Sequence, residues 1–302
     1  LLRIGLFCAI LLMGSSSFAQ ASSKIAVFYP QSKEPYHSIY REIIDGVRSD
    51  SEHEIIEQIL DKKFDINEIV AELKQEEINQ VIALGRIGYQ LAKQLPSDIS
   101  AVSGALPFSP NGVSGISLIS EPANLFDYLR LVAPEVKTIH VAYSARSAWI
   151  IDLAQIAANE RNLNFNAKMV ANTADAIAFY TNLFDSNISK NDAIWLPVDR
   201  VSSHDKVTLP IILEKAWSNE VVVFSSKPSH AKRGALFSTY PNNFKLGQRL
   251  AGMVNELANT PKSQKFSALK DLQLAVNLRT AAHLGLKYSS EQQQSFKLVF
   301  PE

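Results

Sequence analysis

Short apolar runs rich in β-branched residues alternate with longer amphipathic stretches along most of the chain, and that alternation limits what it can fold into. Residues 24–29, 80–84, 138–143, 192–197 and 221–224 read as strands. The last of these is a continuous apolar run, the pattern of a strand buried on both faces. Weaker strand patterns cover 54–59, 101–104, 165–170 and 273–276. Between them lie helical patterns. The stretch 35–48 places Ile39, Ile43, Ile44 and Val47 on one face. Asp65 is set to cap a helix with Glu68 as its capping-box partner. Further helices are expected over 87–94, 121–132, 147–161, 173–184, 207–217 and 243–257. Such alternation predicts an α/β fold with βαβ units and parallel sheets. One sheet would need about ten strands, so two sheets of about five suit the pattern better. The break is expected at 110–117, where Pro110-Asn111-Gly112-Val113-Ser114-Gly115 forms the connector.

Length agrees with this. The chain has 302 residues, enough for about two domains of roughly 150 residues each. Lys and Arg total 30 and Asp and Glu total 30, a balance that gives no reason to expect nucleic acid or an anionic membrane as partner.

The first residues differ from the rest. Arg3 is followed by an apolar run from Ile4 to Met13, then by small residues ending in Phe18-Ala19-Gln20-Ala21. Ser17 and Ala19, or Ala19 and Ala21, supply the small-x-small pattern of a cleavable signal peptide. Residues 1–21 are therefore expected to be removed on export to the periplasm. The plain alternative is a buried N-terminal strand or helix. Cys8, the single cysteine, sits inside the apolar run, too early for a lipoprotein site. A cleaved chain would carry no thiol, disulfide or Cys metal site.

Chemical motifs are missing. The sequence has no Walker A loop, no G-x-G-x-x-G, no G-x-S-x-G and no H-E-x-x-H. Its histidines (37, 53, 140, 204, 230 and 283) never pair at helical spacing. No catalytic residue, metal site or cofactor is expected.

Attention therefore falls on loops at the carboxyl ends of strands, where open α/β sheets bind ligands. The first loop offers Tyr29, Gln31 and Tyr36, tyrosines being rigid faces with one polar tip; an ordinary surface loop is the alternative. Gly85 ends the strand 80–84. Tyr143, Ser144 and Ser147 lie where a helix begins, an arrangement suited to a carboxylate or to simple capping by Ser144. Asp199, just past a buried strand, suits a ligand amine or another helix cap. Ser225 and Tyr240 complete the candidates.

From about Gly112 onward the chain resembles the ABC-transporter substrate-binding family that includes tryptophan- and tyrosine-type binding proteins. The matching stretches are Gly112-Val113-Ser114-Gly115-Ile116-Ser117, Ile139-His140-Val141-Ala142-Tyr143-Ser144 and Ala193-Ile194-Trp195-Leu196-Pro197-Val198-Asp199. Lys232 to Ser238, Lys245-Leu246-Gly247-Gln248 and Val276 to Leu286 complete the set. The resemblance implies a periplasmic binding protein fold of type I: two Rossmann-like lobes joined by crossovers, closing on a ligand. It implies lobe one over 24–116 plus 241–262 and lobe two over 117–240 plus 266–302. It also implies that the loop after 138–143 takes a ligand carboxylate and Asp199 its amine. Two stretches depart from the family pattern: Arg146-Ser147-Ala148-Trp149, where an Asn-Ser pair is common, and the loop 30–36. The expected role is capture of a small, amino-acid-like ligand for an ABC permease. The alternative is a periplasmic sensing module that signals to a membrane sensor or another envelope partner.

Overall fold

The computed structural model describes residues 23–186, 188–260 and 264–301. The expected signal segment 1–21, Cys8 included, lies outside them. In chain order the elements are β1 (Lys24–Pro30), α1 (Tyr36–Ser49), β2 (Glu54–Leu60), α2 (Ile66–Gln75), β3 (Gln80–Leu84), α3 (Gly85–Ala92), β4 (Ser100–Gly104), β5 (Gly115–Ser120), α4 (Pro122–Val132) and β6 (Thr138–Tyr143). There follow α5 (Ala148–Glu160), β7 (Asn164–Met169), α6 (Thr173–Asp185), β8 (Asp192–Leu196), α7 (Thr208–Ser218), β9 (Val222–Ser225), α8 (Pro228–Arg233) and β10 (Phe237–Pro241). Last come α9 (Asn243–Asn259), β11 (Phe266–Leu269), β12 (Leu272–Asn277), α10 (Leu278–His283), α11 (Ser290–Ser295) and β13 (Leu298–Phe300).

The strands form two sheets. One has six strands in the order β11-β5-β4-β3-β1-β2, and the other seven in the order β13-β12-β10-β9-β8-β6-β7. Every pairing is parallel except β10 with β12. The most apolar runs take the middle: β3 is buried throughout, and β8 nearly so. The polar runs take the edges, β2 in one sheet and β7 in the other. Helices cover both faces of each sheet, so each lobe has its own core, the requirement that parallel sheets impose.

Helix α9 lies far along the chain yet packs in the first lobe. Leu246, Leu250 and Val254 join Ile43, Ile44 and Val47 of α1 in one core. Gly46 and Gly247 make the close approach possible. A Cβ on Gly247 would overlap the carbonyl oxygen of Ile43, and one on Gly46 would overlap that of Phe244.

Three segments join the lobes: β5 into α4, β10 into α9, and β11 into β12. They are tied to one another. Ser120 and Thr239 share a buried hydroxyl–hydroxyl hydrogen bond of 3.0 Å. Glu121 N–H donates to the Leu269 carbonyl at 2.8 Å, and Asn242 N–H to that of Asp271 at 3.0 Å. Ser120 ends β5 and Thr239 lies near the end of β10, so the carboxyl edges of the two parallel sheets meet at this hinge.

The connector expected at 110–117 gives way to β5 at Gly115, whose backbone lies so close to Ser103 that no Cβ would fit. The six-stranded sheet takes in 117–120 and 266–269, which the family resemblance assigns to the second lobe. Asp65 caps α2 by accepting from Asn67 N–H at 2.8 Å, not from the third residue in a capping box. A capping box forms instead at Ser289 and Gln292.

Candidate functional site

The loops at the carboxyl edge of the second sheet are organised around one carboxylate. Asp199 follows β8 and is 3% exposed. Its Oδ2 accepts from Ser144 N–H at 2.8 Å, Ser144 Oγ at 2.7 Å and Ser147 Oγ at 2.7 Å. Its Oδ1 accepts from Val201 N–H at 2.8 Å and Ser202 N–H at 3.0 Å. A carboxylate has about four lone-pair sites, so these donors fill it. Burial pushes the carboxyl up, but the hydrogen bonds from Ser144, Ser202 and Ser147 outweigh it and hold the group below its usual range.

This corrects two expectations. Asp199 has no acceptor capacity left for a ligand amine. Neither Ser144 nor Ser147 caps the helix that follows it, because both hydroxyls point to Asp199. The carboxylate instead fastens the β6–α5 corner to the β8–α7 loop.

A second carboxylate on the same loop does similar work. Asp205 Oδ1 meets His230 Nε2 at 2.8 Å and Lys227 Nζ at 3.0 Å. His230 Nδ1 lies 2.8 Å from Ser225 Oγ. Ser225 also reaches the Leu196 carbonyl at 3.0 Å and accepts from Lys227 N–H at 3.1 Å. Ser225 and His230 are both 0% exposed, so this serine–histidine–aspartate chain presents no nucleophile to solvent. Ser225 is thereby corrected from ligand contact to internal strut. Burial holds the His230 imidazole below its usual range against the pull of Asp205.

Other candidates divide. Tyr29 packs into the first lobe's core and donates its hydroxyl to Glu57 at 3.2 Å. It is not a cleft wall, because its position in β1 turns it onto the sheet face. Gly85 is buried at the start of α3 with φ +72°, and a Cβ there would lie 2.5 Å from the Tyr40 hydroxyl. Gln31 is exposed in the loop after β1, and Tyr36, the first residue of α1, is 63% exposed. Tyr143 and Tyr240 are half-buried, at the end of β6 and on the hinge strand β10. Burial pushes the Tyr240 phenol up to about 12.

Three arginines escape the sequence reading. Arg86 follows Gly85 at the start of α3, Arg146 lies in the β6–α5 corner, and Arg200 follows Asp199. All three are exposed. Among the described residues no ion pair to any of them occurs, nor to Arg130, Arg233 or Arg279, whereas Arg41, Arg48, Arg161 and Arg249 each meet a carboxylate; what sets Arg86, Arg146 and Arg200 apart is their place just past the strand ends. The corners that Asp199 fastens together thus carry two unpaired guanidinium groups, and the carboxyl edge of the other sheet carries a third. No cluster of three or more His, Cys, Asp or Glu able to hold a metal occurs among the described residues, and no helix among them is long and apolar enough to cross a membrane.

The model of the family described as ABC transporter substrate binding protein matches residues 87–295. No curated protein sequence matches. Among solved structures, an ABC domain from Streptococcus pneumonia in complex with L-Trp aligns with TM-score 0.53 and 19% identity over 93% of this chain and 100% of that one. The ligand-free, open structure of CD0873 from Clostridium difficile, a substrate binding protein with adhesive properties, aligns with TM-score 0.62 and 18% identity over 92% and 99%. A conserved domain protein from Vibrio cholerae aligns with TM-score 0.52 and 17% identity over 92% and 99%. At these identities the likeness is one of fold: two α/β lobes with mainly parallel sheets, the type I periplasmic binding protein architecture.

Proposed function

Because the chain belongs to the ABC transporter substrate-binding protein family, we propose that it is an exported receptor that closes its lobes on a small carboxylate-bearing ligand and delivers it to an ABC importer. The observation that carries this reading is the placement of three exposed arginines without an ion pair, Arg86, Arg146 and Arg200, just past strand ends at the carboxyl edges of both sheets. Ligands of open α/β sheets bind beyond those edges. The guanidinium fork matches a carboxylate in a bidentate fashion, which gives both strength and orientation.

Fixed loops make such recognition selective. Asp199 and Asp205 hold the second lobe's corners in place before any ligand arrives, so less ordering is needed on binding. A ligand that touches both lobes binds the closed form better than the open one and shifts the population toward it. An amino-acid-like ligand fits this cationic mouth, and the L-Trp complex of the Streptococcus protein lends it support. Its amine would be met by groups other than Asp199, with Tyr36 and Gln31 the exposed polar candidates of the first lobe. No chemistry on the ligand forms part of the proposal. Export by the segment 1–21 into the periplasm completes it.

Uptake tests the whole reading. Cells with and without the gene should differ in uptake of a radiolabelled amino acid that binds the purified protein. Equal uptake would remove the importer from the account.

A further inference from the structure

Trp149 is the second residue of α5 in the second lobe, two residues beyond Ser147. Its ring stands edge-on to Phe266, with centroids 5.2 Å apart and planes at 76°. Phe266 begins β11 at the edge of the first lobe's sheet, beside Gly115 of β5. Phe266 in turn stands edge-on to Phe108 at 5.2 Å, and Phe108 meets Tyr89 of α3 at 5.3 Å. The loop that carries Phe108 makes a second crossing, since Ser109 Oγ donates to the Arg146 carbonyl at 3.3 Å. A chain of four rings and one hydrogen bond therefore runs from the first lobe to the very corner that Asp199 fastens.

We infer that Trp149 is a positioning residue that latches the two lobes together before any ligand binds. Three features of the contact argue for this. It joins elements on opposite sides of the hinge, so hinge opening must break it or shear it. Its second-lobe end is rigid, because Asp199 clamps Ser144 and Ser147 just ahead of Trp149. And it is held by ring packing alone: the indole N–H is buried with no hydrogen-bond partner among the described residues, so the polar end of the side chain contributes nothing to the latch. Phenylalanine should therefore serve at position 149 where alanine fails.

The inference rests on the reading of the chain as a two-lobed receptor, but its test needs no ligand. Spin labels are placed on the full chain carrying Cys8→Ser, at Lys33→Cys in the first lobe and Lys206→Cys in the second, both exposed. Interlobe distances are measured by electron–electron double resonance. Edge-to-face ring pairs of this kind shift a two-state ratio by roughly two- to tenfold. Trp149→Ala is expected to raise the long-distance fraction by that factor, Phe266→Ala to do the same from the other lobe, and Trp149→Phe to keep the parent distribution. Unchanged distances in Trp149→Ala and Phe266→Ala would overturn the latch. So would a shift in Trp149→Ala that Phe266→Ala fails to reproduce, since the effect would then lie within the second lobe. If Trp149→Ala does not fold, Phe266→Ala decides alone. None of these outcomes depends on which ligand the receptor takes, so a failed latch leaves the receptor standing.

Discussion

Ser147 donates its hydroxyl to Asp199 Oδ2 at 2.7 Å, across 52 positions of sequence. That bond and its two neighbours from Ser144 turn a carboxylate at a strand end into the fastening of two loops. Stability and recognition meet at this point, and the two can be separated by experiment.

Asp199→Ala removes the acceptor and leaves several buried donors unpaired. Each such donor costs about 1–3 kcal/mol, so unfolding free energy should fall by roughly 3 kcal/mol or more. Urea denaturation without ligand measures this. An Asp199 that served only a ligand amine would show no loss in ligand-free protein.

Acid should destabilise the fold through the same groups. The carboxyls of Asp199, Asp205, Asp192 and Glu57 are all held below their usual range. A carboxyl depressed in the folded state contributes stability that is present above its unfolded pKa, about 4, and is lost as pH falls through the folded value. His230 acts in the same sense and earlier, since its pKa is also depressed. Its contribution erodes as pH drops below about 6.5. Thermal midpoints should fall steadily from pH 7 to pH 3, with a shallower fall in Asp199→Asn.

The hinge offers a test of hydrogen-bond asymmetry. Thr239→Val leaves the Ser120 hydroxyl buried without its partner and should cost about 1–2 kcal/mol. Adding Ser120→Ala should recover much of that loss, because no polar group is then stranded. A double variant as unstable as the sum of both singles would contradict the buried pair.

Packing of α9 on α1 is tested by two glycines of one helix. Gly247→Ala drives a methyl group into the Ile43 carbonyl and should cost about 3 kcal/mol or prevent folding. Gly252→Ala meets nothing within 4 Å among the described residues and should stabilise by about 0.5–1 kcal/mol, through helix propensity. Circular dichroism melts of both variants make the comparison.

Much of this architecture is legible in the sequence because long amphipathic helices and apolar central strands carry their own period. β1, β3, β6, β8 and β9 read directly. The hinge strands do not. β5 carries Ser117 and Ser120, and β10 carries Ser238 and Thr239, all buried. These polar side chains break the apolar pattern, and they are tolerated because partners such as Phe108 N–H, Ala231 N–H and one another satisfy them. Gly115 reads as a turn because a close backbone contact and a turn both call for glycine.

The site is legible in position but not in role. Asp199, Ser144 and Ser147 lie on loops just past strand ends, as their positions after apolar runs imply. That their hydrogen bonds are made to each other depends on a loop meeting another some fifty residues away, which no local pattern encodes. Arg86, Arg146 and Arg200 look ordinary in a chain with 30 basic residues, and only the fold reveals which cations lack a partner.

Recognition by those arginines is the central claim. A thermal-shift screen of wild type against L-amino acids, dipeptides and dicarboxylates, paired with Arg146→Ala and Arg200→Ala, tests it most directly. A binder at a hundred times its dissociation constant adds about 2.7 kcal/mol of stability. At least one carboxylate compound should raise the wild-type midpoint, and each arginine variant should bind it roughly tenfold or more weakly while keeping its ligand-free midpoint. A binder that lacks a carboxylate, held equally well by both variants, would contradict the account.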